Sequence, residues 1–301
     1  MLPANEQFPH GIGAGFYDLD GTILNLDYVS PRTIAAMRKA HEDGMANVVC
    51  TGRNLPIVPD VVKDDFIDYY ITVNGGQILD AEGNHLLSKA IPRSMALELA
   101  AWLHGRGAGL NCLTSTGAYF EDRLVSYMTQ AVHRVENSDR LTDEALTEEI
   151  TSQPNKFTVK DITPQLEAVD DATNFVEKMG ACFNTHEDLE RDVAELKARG
   201  DLQIAVVTPT EIEITIMGVE KGSGVEWVMR HLGLQKDQLV AFGDSGNDLP
   251  MRPAVGTFVA VDNASAEVKE AADCIVDSIW DDGVAKWLEA ACDGSYYVLS
   301  K

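Results

Sequence analysis

Short apolar runs that end in glycine or small polar residues recur at both ends of this chain, and a denser succession of strand and helix patterns fills its middle. The first run, Gly11-Ile12-Gly13-Ala14-Gly15-Phe16-Tyr17, is too short and too rich in glycine for a helix, and Gly21 stops its extension. It predicts a buried strand ending near Asp18. Ser30-Pro31 predicts an N-cap with proline at the first helical position, and the helix should run through Ile34, Met37 and Ala40 to Gly44. Ala46-Asn47-Val48-Val49-Cys50 reads as a second strand ending at Thr51-Gly52-Arg53, and Tyr70-Ile71-Thr72-Val73 as a third ending at Asn74-Gly75-Gly76. This is the βαβ grammar of a parallel sheet, whose ligands sit beyond the C-terminal ends of the strands.

The pattern then changes. Gln77-Ile78-Leu79 and His85-Leu86-Leu87 flank the turn-rich Asp80-Ala81-Glu82-Gly83-Asn84, which predicts a hairpin and the start of a different module. Beyond it the periodicity predicts helices over 94–104, 123–133, 142–150, 164–179 and 189–199. Strands are predicted over 110–114, 118–121, 156–159, 203–207 and 212–217, with a further short segment at 181–184. So strand-rich a block fits an α+β insert better than more of the parallel sheet. The parallel grammar resumes with an amphipathic helix after Lys221 and the strand Leu239-Val240-Ala241-Phe242, which ends at Gly243-Asp244-Ser245-Gly246-Asn247-Asp248. A strand over 256–261, a helix over 265–271, the short Cys274-Ile275-Val276 and a helix over 281–291 follow. The expected fold is therefore α/β: a Rossmann-like parallel-sheet core over residues 1–82 and 218–301, interrupted by an α+β insert over 83–217.

Composition narrows what such a fold can serve. A chain of 301 residues with 45% hydrophobic content has ample core for two domains. Its formal net charge of -24 argues against nucleic-acid and anionic-membrane partners, which need a surplus of Lys and Arg. An anionic substrate remains possible if lysine, metal or helix N-termini supply positive charge locally. Five cysteines without a close pair, the lack of a signal-like N-terminus and the lack of a long apolar segment predict reduced thiols in a cytoplasmic protein. In such a protein the glycosylation pattern at Asn263-Ala264-Ser265 is accidental.

The candidate chemistry begins at Asp18 and Asp20, which point the same way in an extended segment, so their repulsion favours a shared proton or a bound cation. An ordinary turn explains the pair equally well in isolation. An EF-hand does not, because Ile23 and Val29 stand where glycine and the bidentate glutamate belong, and counting from Asp244 fails likewise at Gly246 and Leu249. The glycines at 11, 13 and 15 precede the strand instead of following it, and neither a P-loop nor a G-x-S-x-G elbow occurs. Thr51 alone reads as a strand-end cap and Lys221 alone as a surface charge, whereas two carboxylates and an amide among glycines at 243–248 suggest a hard-cation site. Together, Asp18, Thr51 and Asp244 each end a predicted parallel strand and Lys221 opens a helix, so all should converge on one sheet edge.

These segments resemble the haloacid dehalogenase superfamily, and within it the Cof-type subclass IIB hydrolases. The resemblance rests on Asp18-Leu19-Asp20-Gly21-Thr22, Thr51-Gly52-Arg53, Lys221-Gly222 and Gly243-Asp244-Ser245-Gly246-Asn247-Asp248 in that order. Asn74-Gly75-Gly76, Asp262-Asn263-Ala264 and Asp282-Gly283-Val284-Ala285 also resemble family segments, although Ala260-Val261-Asp262 departs from the usual methionine and glycine. The resemblance implies a Mg²⁺-dependent phosphatase acting on small phosphorylated metabolites such as sugar phosphates. Asp18 would be the nucleophile and Asp20 the acid/base, and Mg²⁺ would bind Asp18, the Asp20 carbonyl and Asp244. Thr51, Gly52 and Lys221 would hold the phosphoryl group, Asn247 would serve at the metal or phosphate, and Asp248 would orient its loop from behind. The insert would be a cap that selects the leaving group. A phosphosugar mutase using the same nucleophile and a non-catalytic phosphorylated receiver are the competing readings.

Overall fold

The computed structural model describes residues 11–25, 27–136 and 155–295. The chain divides into two units: residues 1–53, 58–88 and 220–301 form the core unit, and residues 54–57 and 89–219 the inserted unit.

The core unit is built on β1 (Ala14–Tyr17), β2 (Ala46–Cys50), β3 (Tyr69–Thr72), β4 (Gln77–Asp80), β5 (His85–Ser88), β12 (Leu239–Gly243), β13 (Thr257–Val261) and β14 (Cys274–Val276). They lie in the order β14-β13-β12-β1-β2-β3-β4-β5. From β14 to β3 every pairing is parallel, whereas β4 and β5 are antiparallel additions at the edge. Every residue of β1, β2 and β12 is buried, as expected of central strands covered on both faces. Tyr17 stacks on Phe242 with ring centroids 5.2 Å apart, and its hydroxyl donates to Asn47 Oδ1 at 2.9 Å, so a phenol in the middle of the sheet is satisfied. The helices of this unit are α1 (Pro31–Glu42), α6 (Lys221–Leu232), α7 (Ala266–Ala271) and α8 (Gly283–Cys292). Ser30 caps α1 as the sequence predicts, its hydroxyl accepting the Thr33 N–H at 3.0 Å.

In the inserted unit, β6 (Gly109–Thr114), β7 (Gly117–Glu121), β8 (Lys156–Val159), β9 (Val176–Cys182), β10 (Leu202–Thr208) and β11 (Glu211–Ile216) form a sheet in the order β10-β11-β9-β6-β7-β8. All its pairings are antiparallel except β7 with β8. The helices are α2 (Arg93–Gly105), α3 (Asp122–Glu136), α4 (Thr163–Glu167) and α5 (His186–Ala198). Leu99, Leu103, Leu166, Met179, Leu189, Leu196 and Ile214 belong to its apolar core.

Two expectations need correction. The hairpin after Asn74 does not open a new module: His85–Ser88 pairs with Gln77–Asp80 in the core sheet, so the division falls after Ser88 and not at Gly83. The helix expected over 164–179 stops at Glu167. Asp170 accepts the N–H groups of Ala172, Thr173 and Asn174 at 2.7–2.9 Å, a local turn that competes with helix, and residues 176–182 instead form the central strand β9. The expected helix over 142–150 lies outside the described residues. Among the described residues no helix is long and apolar enough to cross a membrane.

Candidate active site

The C-terminal ends of β1, β2, β3 and β12 lie side by side, so the turns that follow them share one edge of the sheet. Asp18 is the first residue beyond β1, and its N–H still donates to the Phe242 carbonyl at 3.1 Å. Lys221, the first residue of α6, is fully buried, and its ammonium donates to Asp18 Oδ1 and Asp248 Oδ1, each at 2.6 Å. Burial alone would discharge that lysine, but the two carboxylates outweigh it and keep it protonated.

Asp248 is also fully buried and its oxygens are committed: Oδ1 to Lys221, and Oδ2 to the N–H groups of Asp244 at 2.9 Å and Ser245 at 3.0 Å. It therefore fixes the loop after β12 instead of facing outward. Asp18 Oδ2 accepts the Thr22 hydroxyl at 2.9 Å, and the same hydroxyl lies 3.4 Å from Asp244 Oδ1. Gly21 makes this approach possible. Its φ is +83°, and a Cβ there would sit 2.4 Å from Asp244 Oδ2.

Three carboxylates converge here against one ammonium, and the consequence is electrostatic. Burial, with Asp248 and Asp244 nearby, pushes Asp18 well above the ordinary carboxylate range. Burial and Asp248 push Asp244 up to about 6. Asp18, Asp244 and Asp248 carry carboxylate oxygens close enough together to hold one cation. The donors are hard oxygens with surplus negative charge, a set that fits a divalent ion of the Mg²⁺ or Ca²⁺ type. Asp248 Oδ2 is filled by two N–H groups, whereas each Asp18 oxygen accepts one donor and keeps a second lone pair, so Asp18 and Asp244 are the pair more open to it.

Thr51 is the first residue beyond β2. It is buried, and its Oγ1 accepts the Arg53 N–H at 3.2 Å, which leaves its own hydroxyl hydrogen for another acceptor. Gly52 lies within the same turn. Asn247 receives the Ser245 hydroxyl on Oδ1 at 2.7 Å and donates through Nδ2 to Asn74 Oδ1 at 3.2 Å. Asp20 stands apart from the buried cluster: its side chain is 54% exposed and is gripped by Arg53. The structure thus brings together Asp18, Lys221, Asp244 and Asp248 by direct contact or near neighbourhood, and leaves Asp20 on the open rim.

Sequence reasoning missed several supporting residues. Val73 and Asn74 both have φ of +54°, and such a conformation in a β-branched residue stores about 1–3 kcal/mol of strain. The turn is held by Val73 N–H to the Arg53 carbonyl at 2.9 Å and Asn74 N–H to the Thr51 carbonyl at 3.0 Å. Gly75 packs so tightly that a Cβ would lie 2.3 Å from the Glu220 carbonyl oxygen, so the turn rests on the start of α6. Asn263 donates to the Gly21 carbonyl at 2.7 Å and accepts the Ile279 N–H at 2.9 Å, tying the turn after β1 to the segment before α8. Asn74 ends the third predicted strand, and both Asn74 and Asn263 stand in segments that resemble the family, but nothing in the sequence named their partners.

Comparison with known proteins agrees with this geometry. The chain matches the family described as haloacid dehalogenase-like hydrolase over residues 16–288. It is 28% identical to the 5-amino-6-(5-phospho-D-ribitylamino)uracil phosphatase of Bacillus subtilis strain 168 over 271 residues, covering 89% of this chain and 91% of that protein. Among solved structures it resembles a haloacid dehalogenase-like hydrolase from B. subtilis with a TM-score of 0.78 and 24% identity, over 92% of this chain and 99% of the other. It also resembles a subclass IIB sugar phosphatase with a TM-score of 0.71 and 24% identity, over 92% of this chain and 98% of the other. With its parallel core, its inserted α+β unit, an acidic cluster where the strands end and a fold like that of the subclass IIB sugar phosphatase, this chain belongs to the haloacid dehalogenase-like hydrolases.

Proposed function

We propose that this chain is a Mg²⁺-dependent phosphatase that hydrolyses small phosphomonoesters, of the sugar- or polyol-phosphate kind, through an aspartyl-phosphate on Asp18. Family membership makes it a hydrolase of the phosphatase type. The observation that carries the residue assignment is the buried Lys221 joining Asp18 to Asp248 at the convergent strand ends. The ribityl-phosphate and sugar-phosphate specificities named for two similar proteins motivate the substrate class.

In the first half-reaction an Asp18 carboxylate oxygen attacks phosphorus, the ester P–O bond breaks, and Asp20 gives its proton to the departing alkoxide. In the second, water attacks the aspartyl-phosphate, Asp20 takes the water's proton, and Asp18 is released with inorganic phosphate. Asp18, the Asp20 main-chain carbonyl and Asp244 would hold Mg²⁺, which supplies positive charge that lets a carboxylate meet a phosphate dianion. Thr51, the Gly52 amide, Lys221 and Asn247 receive the phosphoryl oxygens as charge redistributes. Asp248 supports this by holding Lys221 and the 244–245 backbone in place. The inserted unit, residues 89–219, acts as the cap that selects the leaving group. Five thiols without disulfide partners suit a reducing compartment, and we place the protein in the cytoplasm.

The test is direct. Purified protein with Mg²⁺ should release inorganic phosphate from a panel of sugar and polyol phosphates and form an acid-stable, hydroxylamine-labile phosphoenzyme. Isomerised product without phosphate release would assign it to the mutases instead, and a stable phosphoenzyme without turnover to the receivers.

A further inference from the structure

We infer that Arg53 is a positioning residue for Asp20, acting on proton transfer to the leaving group and not on phosphate binding; the inference rests on the acid/base role proposed above for Asp20. Arg53 Nε donates to Asp20 Oδ2 at 2.8 Å and Nη2 to Asp20 Oδ1 at 2.6 Å, so both arms of the guanidinium fork are spent on one carboxylate. A fork–fork pair of this kind fixes the plane of the carboxylate as well as its distance. The two partners differ in setting: the Arg53 side chain is 12% exposed and that of Asp20 54%. Arginine is the anchored member, and the carboxylate faces the open side.

The anchor is built from the site's own backbone. The Arg53 N–H is held by Thr51 Oγ1 at 3.2 Å, and its carbonyl accepts the Val73 N–H at 2.9 Å from the turn held at positive φ. A third contact, Nη1 to Asp27 Oδ1 at 3.7 Å, steadies the guanidinium from the far side. Asp20, by contrast, sits beside Gly21 with no other side-chain hydrogen bond among the described residues. Without Arg53 its carboxyl would rotate freely on the rim.

The fork takes one lone pair from each Asp20 oxygen and leaves the other available. Asp20 can therefore pass a proton while its orientation is kept. In the first step the Asp20 O–H bond breaks as the alkoxide O–H forms and the ester P–O bond cleaves. In the second the proton returns from water. Arg53 changes no bond in either step. Lysine could supply the charge but not the planar two-point grip.

The inference predicts a dependence on the leaving group. An alkyl phosphate departs as a strong base and needs the proton, whereas 4-nitrophenyl phosphate does not. Arg53→Met should lower kcat for a sugar phosphate about 10- to 100-fold, a part of what a general acid contributes. It should change kcat for 4-nitrophenyl phosphate, and KM for both, by less than about 3-fold, since binding and attack are untouched. Arg53→Lys should fall between Arg53→Met and the wild type on the sugar phosphate. Equal losses on the two substrates, or a loss confined to KM, would overturn the inference and make Arg53 a binding or structural residue. Asp20→Asn, measured beside it, separates the two levels of argument. If Asp20→Asn shows the leaving-group contrast and Arg53→Met does not, only the Arg53 assignment falls. If Asp20→Asn shows no contrast, the acid role falls and this inference with it. Unchanged circular dichroism and an unchanged Mg²⁺ requirement in Arg53→Met show that the loss is not one of folding.

Discussion

Each unit of this molecule buries a lysine among carboxylates, and the two clusters are built differently. In the core unit Lys221 is fully buried, and every oxygen of Asp248 has a donor. In the inserted unit Lys178 on β9 pairs with Glu213 on β11, whose side chain is 21% exposed, while Glu177 Oε2 is buried without a hydrogen-bond partner. Burial pushes Glu177 up to about 7, and burial together with Glu213 does the same to Glu211. A buried lysine beside acids is thus no signature of a reacting centre. The core cluster is distinguished by its place where neighbouring parallel strands end and by a carboxylate, Asp248, both of whose oxygens hold up the surrounding structure. The inserted cluster instead holds two carboxyls, Glu177 and Glu211, that burial pushes towards their neutral form.

The sharpest way to break this contrast is at Asp18, the proposed nucleophile. Asp18→Asn should lower phosphate release on the order of 10⁴-fold or more, as removal of a nucleophile does in other hydrolases, with circular dichroism unchanged. Retained turnover would show that the core cluster is no more reactive than its counterpart.

The lysines themselves can then be compared. Lys221→Met leaves Asp18 and Asp248 buried without their cation and should cost about 3–5 kcal/mol in urea unfolding. Lys178→Met, facing a partly exposed glutamate, should cost less, roughly 1–2 kcal/mol, between the values for buried and surface pairs. Equal costs would erase the distinction drawn here.

Acidity offers a third test. The folded form holds the Glu177 proton to about 7, whereas the unfolded chain releases it near the ordinary value of 4.5. Stability of the inserted unit should therefore fall as pH rises through that window and be flat outside it. The fall amounts to at most roughly 3 kcal/mol for this one group. Urea midpoints at several pH values, read from a variant keeping Trp102 as its only tryptophan, should show this slope. Glu177→Gln should reduce it, leaving the part due to Glu211.

A smaller effect concerns the cation. Mg²⁺ at 100 times its dissociation constant should stabilise the core unit by about 2.7 kcal/mol, read from a variant keeping only Trp287. The Trp102 transition should not move, and Asp244→Asn should remove most of the shift. A shift of equal size in both units would place the ion elsewhere.

The legible parts of this protein were those whose signal is local. The strand ends at Asp18, Thr51 and Asp244 could be read because an apolar run followed by glycine or a small polar residue leaves few alternatives to a buried strand and a turn. The Ser30 cap could be read for the same reason. The misread elements failed where a local preference competed with a distant pairing. Residues 164–179 have helical composition, but Asp170 turns the chain, and β9 gains partners on both sides in β6 and β11. The hairpin at 77–88 was recognised as a hairpin, but nothing within it says which sheet it joins; pairing with β3 decides that.

The sequence by itself determined the order of the motifs, the parallel grammar that sends their ends to one edge, and the chemical types gathered there. Tertiary structure alone decided that Lys221 reaches an aspartate 203 positions away, that Asp248 is consumed as scaffold, that Asn263 buttresses Gly21, and that Arg53 grips Asp20. The physical reason is one of range. Periodicity and turn chemistry act over a few residues and leave a trace in the chain, whereas a side chain's partner across the sheet is fixed only when the strands have packed and each buried donor has found its acceptor.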